Sequence, residues 1–180
     1  PPVTISATLD FNDPARVLKV YADEIVHLDS LDTAKVYVSD AAGNKDVSLG
    51  GATVDFAGPV DDTMFTITLT EVQRVAALKL SDTPGSLTPG GDGSSVVLDF
   101  DVGSIKDMAG VEIPENFGNA IAETADETLP EIKSAEMDYN DNVRELVVHV
   151  TETVDYSQID LALLELNDVA GTPVLVLNAP

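Results

Sequence analysis

The stretch DFND at residues 10–13 returns later in the chain as DYND at residues 138–141. Sliding the sequence by 128 positions lays residues 2–51 over residues 130–179 without a gap, and about a third of the aligned positions are identical. An internal repeat decides how the rest of the chain is interpreted, because each copy is one structural unit. The sequence therefore predicts one complete module, residues 1–129, followed by the first part of a second copy, residues 130–180.

The composition is that of a globular chain. It has 180 residues, of which 44% are hydrophobic, and its apolar runs fall short of the roughly 18 residues that cross a bilayer. We therefore expect no membrane insertion. No signal peptide precedes Pro1, so a mature or excised segment is expected.

The chain is strongly acidic, with 32 acidic against 9 basic side chains and a formal charge of −23. This charge repels phosphate backbones and anionic headgroups, which disfavours nucleic-acid and membrane-surface binding. A solvated acidic surface or cation binding explains the excess of carboxylates. The chain has no cysteine, which excludes disulfides, thiolate metal sites and cysteine nucleophiles and is compatible with the cell exterior.

Most of the chain carries the pattern of half-buried β-strands. From Val3 to Phe11 apolar and polar residues alternate, which is the two-residue period of a strand with one face in the core. The same alternation predicts inward-facing core residues at Leu18, Val20, Val36, Ile67, Val96, Leu98, Phe100 and Val102. It places Lys19, Tyr37 and Asp99 on outward faces.

Turns and one helix separate the strands. The pattern Asp-x-Ala-Gly occurs at residues 40–43, 107–110 and 168–171, where glycine suits the positive φ of a tight turn. Thr70 and Gln73 form a capping-box pattern that predicts one short helix near residues 71–78. Many short strands with almost no helix predict an all-β fold, an antiparallel β-sandwich.

Several segments together are similar to a known family. They are ADEIV (22–26), TETVD (151–155), VSDAAGN (38–44), IKDMAGVEI (105–113) and ETADETLPEI (123–132). In this order and spacing they resemble the bacterial Ig-like tandem repeats of S-layer-associated proteins and giant surface adhesins. The resemblance implies an extracellular Ig-like β-sandwich whose role is to extend or stiffen a surface protein or to display part of it. It implies no catalytic residues.

Catalysis is disfavoured. The two histidines, His27 and His149, occupy unrelated positions of the repeat, and neither lies near a serine in a glycine-rich elbow. Carboxylates are too abundant for a pair of them to indicate acid–base chemistry. We therefore expect a protein that is not an enzyme.

The repeated acidic turn is the first candidate calcium site. Calcium binds six to eight oxygen ligands, many of them on turns. The candidate ligands are Asp10, Asn12 and Asp13, with Asp138, Asn140 and Asp141 as their equivalents in the second copy. The alternative interpretation is a hairpin turn at Asn12 and Asp13 with Asp10 as an exposed strand residue.

Two further pairs of carboxylates are candidate cation ligands. Asp99 and Asp101 share one face of a strand about 7 Å apart. Asp126 and Glu127 lie in the acidic linker before Pro130, where calcium would stiffen the joint between repeats. A solvated surface is the alternative explanation for both pairs.

The sequence favours an extracellular structural or adhesive repeat of a large surface protein, calcium-rigidified at its joints and in contact with neighbouring repeats. One alternative is a self-assembling filament subunit whose second copy is completed by a neighbour. Another is a module of a secreted protein that binds carbohydrate or another ligand, which the absence of tryptophan and the 5% of aromatic residues disfavour.

The partial second copy should be unable to bury its own apolar face. That face carries Leu146, Val148, Leu164 and Leu166, and about 50 residues bury too little surface to be stable alone. We expect missing sequence of the repeat, or strands of another subunit, to cover it.

Overall fold

The computed structural model divides the chain into two compact units, Pro1–Leu129 and Pro130–Pro180, called unit 1 and unit 2 below. It describes residues 1–12, 14–55, 61–81, 94–140, 142, 145–167 and 173–176. Over these residues the fold is mostly β with one α-helix. Within these residues no helix is long and apolar enough to cross a membrane.

Unit 1 is built from short strands, as the alternating pattern predicted. The strands are β1 (Thr4–Asp10), β2 (Val17–His27), β3 (Val36–Ser39), β4 (Val47–Ser48), β5 (Thr53–Asp55), β6 (Asp61–Thr68), β7 (Val97–Phe100), β8 (Lys106–Asp107) and β9 (Asn116–Thr124). Single turns of 3-10 helix span Leu28–Ser30 and Thr33–Lys35, and helix α1 spans Glu71–Leu80.

These strands form one curled sheet in the order β4-β3-β7-β9-β1-β2-β6-β5, with β8 paired to β2. All the pairs are antiparallel except one, because β1 runs parallel to β9 with Ala7 opposite Ile121. The sheet is therefore mixed, and the expectation of a purely antiparallel arrangement is wrong at this pair. A parallel pair joins strands that are distant in the chain, so no local turn pattern in the sequence predicts it.

The sheet curls around a single apolar core. Leu18 and Ile67, from the β1-β2-β6 side, are fully buried in the same cluster as Val36 and Leu98, from the β3-β7 side. The predicted inward positions Val20, Val96 and Phe100 are buried as well, whereas Lys19 is exposed and Tyr37 is only partly buried. The predicted strand faces are thus confirmed at these positions.

The prediction failed at one residue within β7 and at one residue after it. Asp99 was expected to face solvent, but it is fully buried. The register shifts between Leu98 and Phe100 where β7 pairs with β9, and the backbone N–H groups of Gly43 and Gly118 bond the Asp99 carboxylate. Val102 was expected in the core and is 56% exposed, because β7 ends at Phe100 and the alternation does not continue beyond it.

Helix α1 begins with the predicted capping box. Thr70 Oγ1 accepts a hydrogen bond from Gln73 N, and Gln73 Oε1 accepts one from Thr70 N, so two backbone donors at the helix start are satisfied. Gln73 Nε2 also donates to the carbonyls of Ser48 and Gly50, at 2.9 and 3.0 Å. Gln73 therefore binds carbonyl groups in and just after β4. Strand β4 lies at the end of the sheet, where a free edge is open to pairing with another strand.

Two of the three Asp-x-Ala-Gly turns are described, and both have the expected backbone. Gly43 and Gly110 have φ angles of +80° and +79°, which an L-residue with a side chain adopts only under strain. In the second turn Asp107 accepts hydrogen bonds from the backbone of Ala109 and Val111. The third turn, residues 168–171, lies outside the described residues.

Unit 2 reproduces the local structure of the first part of unit 1. Its strands are β10 (Ile132–Asp138), β11 (Glu145–Val150), β12 (Glu165–Asn167) and β13 (Pro173–Val176), with 3-10 turns at Tyr156–Gln158 and Leu161–Leu163. Strand β10 and both turns coincide with β1 and the two turns of unit 1 when these are displaced by 128 positions. The registers coincide too: Ala7 faces Val20 in unit 1, and Ala135 faces Val148 in unit 2.

Candidate functional site

The repeated acidic turn lies at the end of β1. Asp10 Oδ1 accepts hydrogen bonds from the backbone N and the side-chain Nδ2 of Asn12, at 3.0 and 2.8 Å. This local pairing is the ordinary use of an aspartate before a turn, since its carboxylate replaces a backbone acceptor. It fixes the direction of the Asn12 side chain.

Asn12 holds the chain segment that leaves β9. The parallel pairing of β1 with β9 sets Asp10 opposite Thr124, so the residues after β9 pass beside Asn12. Asn12 Nδ2 donates to the carbonyl of Ala125 at 3.0 Å, and Asn12 Oδ1 accepts from Glu127 N at 2.9 Å. The amide of Asn12 thus forms the hydrogen bonds that a neighbouring strand would otherwise form with the linker backbone.

The other half of this contact is an arginine from helix α1. Arg74 is 2% exposed, and its Nη1 donates both to the carbonyl of Phe11 and to the carboxylate of Asp126. Its Nε and Nη2 donate to the two carboxylate oxygens of Glu71, each at 2.8 Å. We call Asn12, Arg74, Asp126, Glu127 and Thr128 the linker clamp, because the first two residues hold the last three.

Opposite charges are matched around Arg74. The hydrogen bond with Glu71 is the main cause that raises the pKa of Arg74 above its ordinary value, and Asp126 adds to it. Arg16 lies 3.7 Å from the same Glu71 carboxylate, so two guanidinium groups face Glu71 and Asp126. The charge that would attract a divalent cation to Asp126 is therefore already neutralised by protein groups.

Two of the three candidate calcium sites of unit 1, the acidic turn and the linker pair, are thus brought together, but by protein donors. Asn12 of the acidic turn bonds the backbone of Ala125 and Glu127, which are more than a hundred positions away in sequence. The sites were predicted separately, because no local pattern indicates that they meet. Asp13 lies outside the described residues.

Over the residues that the structure describes, the equivalent turn of the second copy keeps the local part of this arrangement. Asp138 Oδ1 accepts from Asn140 N at 2.8 Å, as Asp10 does from Asn12. Asn140 Oδ1 accepts from Asn142 N at 3.4 Å, whereas Asn12 Oδ1 accepts from the linker. Asp141 lies outside the described residues.

Asp99 and Asp101 do not face a common point. The buried Asp99 accepts hydrogen bonds from Gly43 N at 2.9 Å and from Gly118 N at 2.8 Å. Its carboxylate thereby fastens the turn after β3 to a bend in β9. Asp101 instead lies 2.6 Å from Lys45 Nζ, which agrees with the alternative of an outer face beside a lysine.

Among the described residues, no group of three or more histidine, aspartate or glutamate side chains is placed to hold a metal ion. Calcium binding therefore stays a prediction, as does the absence of catalysis.

Sequence reasoning missed Arg74 and Gln73. Gln73 was used only as a helix cap, although a buried glutamine can satisfy more than one neighbour. Arg74 had a usable signal: it follows Glu71 by three positions, the spacing of neighbours on a helix face, and it precedes the apolar run of residues 75–78. A cation on the apolar side of a short helix indicates a buried ion pair.

The chain matches no protein family, no curated protein and no solved structure.

Proposed function

We propose that the chain is part of an extracellular structural or adhesive array, in which Ig-like modules follow one another as tandem repeats. The support is the repeat itself: the described part of the second copy repeats β1, both 3-10 turns and the register of the first two strands at a constant displacement of 128 positions. Repetition of one unit along a chain is typical of proteins that extend or display.

The proposed fold of each module is an Ig-like sandwich. The strand groups β5-β6-β2-β1 and β9-β7-β3-β4 would be its two sheets, joined at the β1–β9 pair. Both groups contribute to one buried cluster, as the facing sheets of a sandwich do. Helix α1, between β6 and β7, is an addition to that pattern.

The linker clamp is the observation that carries this proposal. A tandem module transmits force or orientation only if the segment leaving it is fixed to its body, because a free polar linker behaves as a flexible coil. Here Glu127 and Thr128 bond to Asn12, and Asp126 bonds to the buried Arg74. The clamp stiffens the exit of the module through direct hydrogen bonds.

A spin label tests this role of the clamp. The chain has no cysteine, so a nitroxide on Glu127→Cys reports only on the linker, and the backbone N–H that bonds Asn12 is retained. We expect an immobilised spectrum that becomes mobile in Asn12→Ala. Asn140→Ala, at the equivalent position of the second copy, is the matched control and should change nothing. Equal label mobility in all three chains would contradict the proposal.

Electron microscopy separates this function from that of a self-assembling filament subunit. The proposed module gives discrete particles when the purified 180-residue chain is imaged at increasing concentration. Filaments of constant width in the same images would instead favour assembly through neighbouring subunits.

A further inference from the structure

The first and the last described strand of unit 1 are neighbours in the sheet and run in the same direction. Strand β1 pairs with β9 from Ala7 opposite Ile121 to Asp10 opposite Thr124. In a parallel pair the chain enters the first strand at one end and leaves the second strand at the other end. Tension between the two ends of unit 1 therefore pulls β1 and β9 past each other along their length, which is a shearing load.

A shearing load acts on the hydrogen bonds of the pair together. The bonds of a parallel ladder are evenly spaced along the strands, so a displacement of one strand along the other strains all of them at once. If the same two strands were pulled apart from one end, the bonds would instead break one after another. The direction of the pull thus decides how many hydrogen bonds share the force.

The parallel direction of this one pair carries the inference. If β1 and β9 were antiparallel, the chain would enter and leave the pair at the same end, and tension would peel the two strands apart from that end. Of the described strand pairs in the sheet only this one is parallel. It joins the two strands through which tension enters and leaves the module.

The hydrogen bonding of the pair continues beyond the strands into the linker clamp. Phe11 N donates to the carbonyl of Thr124 at 3.1 Å. Asn12 follows with its bonds to the backbone of Ala125 and Glu127. These contacts extend the sheared segment from β9 into the linker, at the end where tension leaves the module.

Arg74 joins both sheared segments to the body of the module. Its Nη1 donates to the carbonyl of Phe11, just after β1, and to the carboxylate of Asp126, just after β9. On the other side of β9, the Glu123 carboxylate accepts a hydrogen bond from Val96 N at 2.7 Å, which attaches the exit end of β9 to the residue before β7. The end of the pair is therefore held by side chains on both of its sides.

We propose that the β1–β9 pair, closed at its end by Asn12 and Arg74, is the element by which unit 1 resists tension along the chain. This inference rests on the proposed tandem-repeat function, in which force passes from module to module through the linkers. The pair lies in the middle of the strand order, between the group β5-β6-β2-β1 and the group β9-β7-β3-β4. Both groups contribute to the core, so shearing of the pair opens the module.

Pulling single molecules in two directions tests the proposal. The chain has no cysteine, so DNA handles attach only to thiols introduced into the full chain at the exposed residues Pro1, Pro14 and Leu129. Handles at Pro1→Cys and Leu129→Cys shear the pair, whereas handles at Pro14→Cys and Leu129→Cys pull on the same end of both strands and peel it. At one loading rate we expect an unfolding force about threefold higher in the shearing direction, because the ladder bonds then share the load.

Two variants separate the loaded contacts from overall stability. Arg74→Met removes the bonds to Phe11 and Asp126, and should lower the shearing force by about half, since these contacts must break at the barrier. Leu49→Ala replaces a fully buried leucine that follows the end strand β4. It lowers equilibrium stability by leaving a cavity but lies outside the sheared segment, so the force should be almost unchanged. Asn12→Ala removes a second loaded contact and replaces Arg74→Met if that variant folds poorly.

Equal unfolding forces in the two directions would overturn the proposal, because the pair would then not decide the mechanical strength. It is also overturned if Leu49→Ala lowers the shearing force as much as the variant of the loaded contact does, since the force would then report only overall stability. Neither result changes the spin-label mobility at residue 127 or the particles seen by electron microscopy. Failure here is therefore distinguishable from failure of the proposed function.

Discussion

The guanidinium of Arg74 and the carboxylate of Asp126 form a buried ion pair between residues 52 positions apart in the chain. Removing one partner of such a pair leaves a charge without compensation. We expect Arg74→Met, which keeps the helix propensity and the apolar stem, to lower the free energy of unfolding by about 3 kcal/mol. Urea denaturation measures the change.

The matched control for Arg74 is Lys79→Met, an exposed lysine on the same helix, which should change stability by less than about 0.5 kcal/mol. The double variant Arg74→Met with Asp126→Asn should lose less than the sum of the two single changes. Strict additivity would mean that the two groups do not interact.

A second prediction concerns the buried carboxylate of Asp99. Asp99→Ala leaves the backbone N–H groups of Gly43 and Gly118 without their acceptor. A hydrogen bond to a charged group contributes about 1.5 to 3 kcal/mol, so losing both should cost at least about 2 kcal/mol in thermal or chemical unfolding. Asp101→Ala, which removes a partly exposed ion pair with Lys45, should cost much less. A larger loss of stability in Asp101→Ala than in Asp99→Ala would contradict the buried position of Asp99.

Local patterns predicted much of unit 1, because each of them acts within a few residues. The alternation that buries Leu18 and Val20 needs only the two-residue period of a strand, and the helix start at Thr70 needs only the capping box. These features follow from neighbours in the chain, and the structure confirms them.

Contacts between distant segments could not be predicted in this way. Asp99 has the position of an outward residue, but a turn near residue 43 and a bend at residue 118 cover it. Asn12 reaches a linker more than a hundred positions away only because β1 and β9 run in parallel. Periodicity describes one strand and carries no information about which backbone lies against its other face.

Alkaline pH should weaken a surface cluster around Lys45. Its hydrogen bond with Asp101 raises the pKa of Lys45, and desolvation followed by the charge of Asp101 raises the pKa of Tyr37. Both groups hold their protons more tightly when folded. Their contribution is complete below the unfolded pKa values of about 10 and is lost as the pH rises above them.

Melting temperatures between about pH 9 and pH 11.5, at constant ionic strength, measure this loss. The wild type should fall more steeply than Asp101→Asn, which lacks the charge that both groups share. Parallel curves would show that Asp101 does not couple to Lys45 or Tyr37 in solution.

Melting temperatures distinguish specific calcium binding from simple screening of the acidic surface charge. Arg74 and Arg16 already face Glu71 and Asp126, so we expect calcium and magnesium to raise the melting temperature equally at the same ionic strength. A specific site would add about 2.7 kcal/mol at a hundredfold excess of calcium over its dissociation constant. A calcium-specific rise that disappears in Asp10→Asn would establish the predicted site at the acidic turn.

The last prediction separates backbone strain from close packing at two glycines. Gly118 has a φ of +75°, and an added Cβ would lie 2.9 Å from Ala42 Cβ, whereas Gly51 has a φ of +85° with no atom within 4 Å of that position. Alanine at either site therefore suffers the strain of a left-handed backbone, about 1 kcal/mol or slightly more. Only Gly118→Ala also forces two segments apart, and the close approach lets Gly118 N reach Asp99.

We therefore expect Gly118→Ala to destabilise unit 1 by about 1 to 3 kcal/mol more than Gly51→Ala, as overpacking does elsewhere. Adding Ala42→Gly removes the methyl group that the new Cβ would meet, so the double variant should recover most of this excess but none of the φ strain. Denaturation of the four chains provides the comparison. Equal losses at the two glycines, with no recovery from Ala42→Gly, would show that the turn and the bend at Gly118 are not held together as closely as Asp99 requires.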